Sequence, residues 1–464
     1  MQARASNPIT SFLKSWFGDF QRDELIKFLK LGVIFAFVIG VYWTMRPLKD
    51  SIFASMVHAR NQPWAKLASL VVLFPLVAIY SKLVDKVARH HMFYILGTIY
   101  CIGTVILGLL FLHPTIGLAN TTVDASRIIA WVWYVFVESY GSLVVALFWA
   151  FAASMVSPDS AKRGFPIVIM IGQLGSICGP YFLTPLGQQV FGNSGPTVLI
   201  CGGLIAIMML LVYIFMATTP RSQMRGYHGD EPEKGEGKSE AHTEPGFFEG
   251  LQIMLRQPYL LGIFAVIGFF EIITTIIDYN FKYLVYNSFA TEALRSAYLG
   301  NYAVYVNLIA FFSLLLGVSN IQRRVGIKAS LLLMPVIVAG MVLSFWVWPV
   351  VQVVFWIMVV AKAMNYALNG PALKQLYVPT TKDVKFKAQA WIETFGSRGS
   401  KGAGSGFNLL QTPFEAQWGV ALGAYYLVTA GAIMSFGFIF AWFFIARFLG
   451  KKYEHAVAKN EVVC

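Results

Sequence analysis

Long apolar runs separated by short, polar and often basic interruptions recur along the whole chain. A helix needs about 20 apolar residues to cross the hydrocarbon core of a bilayer, because each residue advances it by about 1.5 Å. Runs of that length fall at 29–54, 64–84, 92–113, 128–156, 164–188 and 196–218. They resume at 258–287, 298–320, 326–349, 350–379, 388–412 and 419–447. The pattern predicts an all-α polytopic membrane protein with twelve transmembrane helices. The eleventh run, AWIETFGSRGSKGAGSGFNLL, is rich in Gly, Ser and charge. Such a helix cannot face lipid, so its polar side is expected to line a wet cavity enclosed by protein.

Between the sixth and seventh runs lies RSQMRGYHGDEPEKGEGKSEAHTEPG, residues 221–246, with almost no apolar side chains. A segment of that composition has too little to bury and predicts a disordered cytoplasmic linker. The expected organisation is an amphipathic cytoplasmic N-terminal segment (1–28), a six-helix bundle (29–218), the linker (219–247), a second six-helix bundle (248–447) and a cytoplasmic tail (448–464). The halves echo each other. SKLVDKVARHH in the first corresponds to SNIQRRVGIK in the second, and SPDSAKRGF to VPTTKDVKF. Six plus six spans with weak internal symmetry predict a major-facilitator-like carrier with its substrate site between the halves.

Positive charge in short loops orients such a chain. With the N-terminus inside, the inner loops hold Lys82, Lys86, Arg89, Lys162, Arg163, Arg323, Arg324, Lys328, Lys382, Lys385 and Lys387. The outer loops hold Arg60, Arg127, Arg295 and little else, which predicts cytoplasmic N- and C-termini. Composition agrees with a membrane protein: 57% of residues are hydrophobic and 13% charged, and the mean hydropathy is +0.62. The net charge of +13 sits in the loops that set orientation and does not indicate nucleic acid. The four cysteines, Cys101, Cys178, Cys201 and Cys464, show no CxxC or Cys/His spacing. Neither a disulfide framework nor a zinc site is expected. There is no GxxxxGK[ST] loop to drive transport by ATP hydrolysis. No cofactor and no enzymatic centre are expected. The N-terminus shows no signal-peptide cleavage pattern.

Ionisable residues inside spans are costly and mark function. Segment one ends in TMRPLKDSIF with Arg46, Lys49 and Asp50, and segment four carries Glu138. Segment seven carries Glu271, Asp278 and Lys282. Segment ten has Lys362 and Lys374, and segment eleven Glu393, Arg398 and Lys401. Residues three or four apart share a helical face, which pairs Arg46 with Lys49 and Asp278 with Lys282. A second reading has Arg46, Lys49, Lys282 and Lys374 snorkelling to headgroups. It also has Glu138 as the structural partner of a buried Lys or Arg, Lys362 and Glu271 as an inter-helix pair, and Arg398 and Lys401 as structural cations that hold the polar helix. Cations outnumber anions on these faces, which suits a polyanion. Arg and Lys hold phosphate, and Tyr140, Phe148 and Trp149 offer rings to a base. A sugar or peptide carrier fits less well. Glu138, Glu271 and Asp278 are the carboxylates from which a coupled proton would be carried.

The opening RDELIKFLKLGVIFAFVIGVYWTMRPLKDSIF, with its R-x-x-K-D at Arg46 to Asp50, resembles that of the ATP/ADP translocases of plastids and intracellular bacteria. VESYGSLVVALFWAFA is similar to that family's E-x-W-G-S-x-x-x-x-x-F-W-x-F-A pattern, with Tyr140 in place of Trp. SAKRGFPIVIMIGQLG and KFKAQAWIETFGSRGSKGAG resemble two further stretches of it. The resemblance implies substrate contacts at Lys49, Glu138 and Asp278, the last within DYNFK where the family has E-x-x-W-K. Alignment on Pro371, Tyr377 and Pro379 places Leu373 where the family has its segment-ten lysine, with Lys374 next to it and Gly370 in place of an aspartate. One residue along a helix is a turn of about 100 degrees.

The implied function is nucleotide transport of the ATP/ADP type by alternating access, as exchange. Proton-coupled net import of nucleotides or NAD is the alternative, and a non-transporting nucleotide-sensing receptor is an alternative of another class. Arg46 and Lys49, assisted by Lys282, are the expected phosphate ligands, and Glu138, Asp278, Lys374, Arg398 and Lys401 are the other expected substrate-binding residues. The expected partners are a nucleotide, the bilayer and protons as a coupling ion, with the chain working as a monomer. A bacterial inner membrane is favoured over a plastid envelope.

Overall fold

The computed structural model describes residues 22–84, 87–156, 158–220, 247–315, 326–381, 384, 388–459 and 461–464. The amphipathic N-terminal stretch up to residue 21, the 221–246 linker and most of the basic loop residues after segments eight and ten lie outside the described residues. All regular structure among the described residues is helical. The first half contributes α1 (Arg22–Val57), α2 (Gln62–Val84), α3 (Arg89–Leu112), α4 (Ile128–Ser154), α5 (Pro158–Leu183) and α6 (Gly195–Thr218). After the linker come α7 (Phe247–Arg256), α8 (Pro258–Ser288), α9 (Glu292–Leu315), α10 (Ile327–Val347), α11 (Val351–Met364) and α12 (Gly370–Leu376). The chain ends with α13 (Ser397–Asn408), α14 (Gln411–Trp418) and α15 (Val420–Lys459).

Among the described residues, nine helices are long and apolar enough to cross a membrane, and they cover segments one to seven, nine and twelve. Segment eight, α9, carries Glu292, Arg295, Asn301 and Asn307. Segment ten is divided: a π-helical turn at Asn365–Asn369 joins α11 to α12. Pro371 has no amide hydrogen to return to the preceding turn, which favours such a local widening. Segment eleven has a similar π-helical turn, Ile392–Gly396, before α13. At the C-terminal end, α15 continues beyond 447 to Lys459. Residues 463–464 then lie along 379–381, with the Val463 amide donating to the Pro379 carbonyl (2.8 Å) and the Thr381 amide to the Cys464 carbonyl (3.0 Å).

The described residues form two compact units. One comprises the described residues within Met1–Ile52, Val72–Glu236 and Thr291–Phe311, the other those within Phe53–Val71, Gly237–Ala290 and Phe312–Cys464. The division does not follow the linker, since the start of α2 belongs with α8 and most of α9 belongs with the first-half helices.

In the first unit α3 packs on α4 and α6. Trp133, Tyr134, Phe148 and Phe151 are fully buried there. Lipid is as apolar as these side chains, so close fit rather than water exclusion holds membrane helices together. Glycine makes the closest approach. A Cβ on Gly175 of α5 would stand 2.1 Å from the Ala36 carbonyl oxygen of α1, and one on Gly40 would stand 2.9 Å from the Gly175 carbonyl oxygen. Backbone thus meets backbone, which fixes the helix that carries Arg46 and Lys49.

In the second unit α8 is the central helix and packs against α11, α13 and α15. The polar α13 owes its composition partly to this packing. A Cβ on Gly404 would lie 3.0 Å from the Ile272 carbonyl oxygen, and Asn408 Nδ2 donates to the Thr275 carbonyl (3.3 Å). Large side chains such as Val71, Ile128 and Phe440 stay exposed, as expected where a helix meets lipid.

Candidate functional site

In the first unit the charges of segments one and four converge. Lys49 is only 2% exposed. Its Nζ donates to Glu138 Oε1 at 2.5 Å and lies 3.3 Å from Asp50 Oδ1. It also stands 3.9 Å from the centroid of the Tyr134 ring. Tyr134 precedes Glu138 by one helical turn, so a single face of α4 supplies both contacts. Arg46, one turn before Lys49, lies over the Trp43 ring at 5.0 Å, a cation–π contact. Burying a lone ammonium is strongly unfavourable, and carboxylates at hydrogen-bonding distance offset that cost. The Glu138 side chain remains 35% exposed. The lysine is hidden, and its principal partner is not.

The rings expected to stack on a base divide. Tyr140 is fully buried, gives its hydroxyl to the Val38 carbonyl (3.2 Å) and stands edge-on to Tyr100. Phe148, also fully buried, stacks on Phe35 at 4.6 Å. Both are core residues with no free face. Trp149 keeps part of its surface open and is flanked edge-on by Phe35, Phe148 and Phe165.

The second unit holds two further charge groups on α8. Glu271 Oε1 accepts from Ser397 Oγ (3.1 Å) and lies 3.4 Å from Lys401 Nζ. Arg398 follows Ser397 on α13 and is half-buried. Two turns further along α8, Asp278 Oδ2 accepts from Lys282 (2.9 Å) and from Lys66 of α2 (3.0 Å).

Sequence reasoning missed Lys66, although it is a cation only five residues into α2, and that isolation was the available signal. It also missed Tyr134, which an aromatic-rich span conceals. Nor did it find the cluster around Glu292. That carboxylate accepts from Ser51 Oγ (2.8 Å), Ser296 Oγ (2.6 Å) and the Ser194 backbone amide (3.1 Å). Ser51 and Ser296 also bond each other. Arg127 turns out to be a loop organiser. Its guanidinium donates to the carbonyls of Ile116, Gly117, Asn120 and Thr122.

The model of the TLC ATP/ADP transporter family matches residues 4–356. The chain belongs to that family. ADP,ATP carrier protein 1 of Rickettsia bellii (strain RML369-C) is 22% identical over 510 aligned positions, covering 99% of this chain and all of the relative. ADP,ATP carrier protein 1 of Rickettsia prowazekii (strain Madrid E) is 23% identical over 510 positions with the same coverage. Among solved structures, a point mutant of the peptide transporter POT superposes with a TM-score of 0.61 at 13% identity, over 96% of this chain and 99% of the other. A point mutant of the nucleoside transporter NupG gives 0.60 at 14% identity, over 90% and 99%. These likenesses establish the fold: an all-α, multi-pass membrane protein of the major-facilitator type.

Within this ATP/ADP-transporter family member, the segment-ten departure has a structural consequence. Leu373 is buried and Lys374 exposed, a difference that the turn of about 100 degrees between neighbours allows. Among the described residues, Lys374 joins neither of the lysine–carboxylate groups on α8.

Proposed function

We propose that this transporter moves nucleotides of the ATP/ADP type by alternating access, with Lys49 as the principal phosphate ligand. The observation that carries the reading is the Lys49–Glu138 pair, a buried ammonium capped by a partly exposed carboxylate. An arriving phosphate replaces Glu138 on Lys49, so the ammonium keeps an anionic partner throughout and the desolvation cost is never left uncompensated. Arg46, one turn away, adds a second cation. In the other unit, Lys282, Lys401, Arg398 and Lys374 are further proposed substrate-binding cations, and in the first unit Trp149 supplies a ring for the base. The membrane is a bacterial inner membrane, both termini face the cytoplasm, and the unit of function is the monomer.

The coupling mode we propose is exchange of ATP for ADP. Buried Leu373 at the family's lysine position favours a second reading, proton-coupled net import, with Glu138, Glu271 or Asp278 as the proton carrier. Reconstituted vesicles separate the two. Internal ADP stimulates labelled ATP uptake by an exchanger severalfold and leaves a symporter unaffected. An inward proton gradient drives only the symporter. Binding of labelled nucleotide with uptake in neither case supports the receptor reading and contradicts both.

A further inference from the structure

We infer that Lys66 is a phosphate ligand, forming with Lys282 a second nucleotide phosphate station for which Asp278 is the resident stand-in. The inference rests on the nucleotide-transport reading above.

Two ammoniums from different helices approach one carboxylate oxygen. Lys66 Nζ lies 3.0 Å and Lys282 Nζ 2.9 Å from Asp278 Oδ2. Two donors on a single oxygen stand within about 6 Å of each other, a spacing that one phosphate oxygen, or two oxygens of one phosphate, also satisfies. The Lys282 side chain is 10% exposed, that of Asp278 11% and that of Lys66 23%. A lysine that merely snorkels keeps its ammonium in water; these two ammoniums instead share one carboxylate oxygen. Lys282 and Asp278 are one turn apart on α8 and pair within their own helix. Lys66, reaching from α2, adds a second cation at the same oxygen. Phosphate entering the station displaces the Asp278 carboxylate and inherits both ammoniums. The carboxylate's return helps to expel it.

This gives the chain a route to a second strong phosphate contact although Leu373 stands at the segment-ten position. Lys66 reaches the site from a helix whose sequence contains no other cation before Lys82.

The test measures KM and Vmax for labelled ATP in proteoliposomes containing the full chain. Wild type, Lys66→Gln, Lys66→Arg, Lys282→Gln and Lys49→Ala are compared, with melting temperatures taken in detergent. The expected result is an ATP KM raised about tenfold by Lys66→Gln, as for loss of one charge-assisted contact, with wild-type melting and recovery in Lys66→Arg. The double variant Lys66→Gln with Asp278→Asn should stay impaired, because the loss is of a phosphate ligand and not of charge balance. Should Lys66→Gln not fold, Lys282→Gln carries the same KM prediction. Wild-type uptake lost in Lys49→Ala, together with an unmoved KM in folded Lys66→Gln, overturns this inference alone. So does full recovery in the charge-balanced double variant. A lipid headgroup as the occupant also leaves the ATP KM unmoved and counts against it. Absence of nucleotide uptake by the wild type overturns the transport reading and this inference together.

Discussion

Lys49 shows how one buried residue sets the terms for its neighbours. Removing its ammonium takes a close cation from two carboxylates at once, Glu138 and Asp50, the latter 6% exposed. Breaking a buried pair costs about 3–5 kcal/mol, and the partial exposure of Glu138 brings the expectation to the low end, about 3 kcal/mol. Lys49→Ala should therefore melt lower than the wild type, whereas Lys49→Met with Glu138→Leu should recover part of the loss. Melting of the purified variants checks this, and a double variant less stable than Lys49→Ala contradicts it. Outside the spans, Asp124 Oδ1 accepts the Ser126 amide at 2.8 Å. This backbone hydrogen bond, more than the nearby Arg127, holds the carboxyl below its ordinary value. A carboxyl lowered in the folded state stabilises the turn fully above its ordinary pKa, and that contribution is lost as pH falls through the lowered value. Amide exchange at Ser126 and Arg127, corrected for intrinsic rates, should show constant protection from pH 7 down to about 4 and declining protection below it.

At the scale of elements, two devices hold helices where the charged residues need them. The α1–α5 crossing has no room for a side chain at Gly175, where the neighbour is backbone and cannot swing aside. Gly175→Val should cost about 1–3 kcal/mol by overpacking and reduce transport by displacing α1. Gly203, where an added Cβ meets nothing within 4 Å, is the control position. The Glu292 carboxylate bridges α1 at Ser51, the start of α6 at the Ser194 amide, and Ser296 on α9. Negative charge at a helix N-terminus is favourable. Glu292→Leu, which strands three donors, should destabilise more than Glu292→Gln, which keeps an acceptor; melting of the two variants decides it. Neither device is legible in the sequence. Gly175 lies in a run that hydropathy reads simply as a span, and Glu292 resembles any acid at a helix start. The apolar runs themselves were legible because their length and hydropathy are local properties. The division of segment ten at Asn365–Asn369 was not, since a π-helical turn changes backbone bonding without changing apolarity.

For the whole molecule, the fold and the family follow from patterns that extend over most of the chain. The site was only half legible. Arg46, Lys49, Glu138, Asp278 and Lys282 declare themselves because charge is rare in a span. Their pairings do not, because Lys49–Glu138 is 89 residues apart and Lys66–Asp278 212 residues apart in sequence. The same limit misjudged Tyr140 and Phe148, whose rings look available in sequence and are consumed by packing. The charged groups share one feature: each lysine described at a candidate position on α1 or α8 is held by a carboxylate, and the function proposed has phosphate take that carboxylate's place. The most direct measurement of that claim is uptake of labelled ATP, GTP, UTP and NAD into cells expressing the wild type or Lys49→Ala at equal membrane abundance. The expected result is uptake of at least one of these nucleotides by the wild type and a loss of about tenfold or more in Lys49→Ala, as for one charge-assisted phosphate contact. Uptake of none of them, or equal uptake by the two proteins, contradicts it.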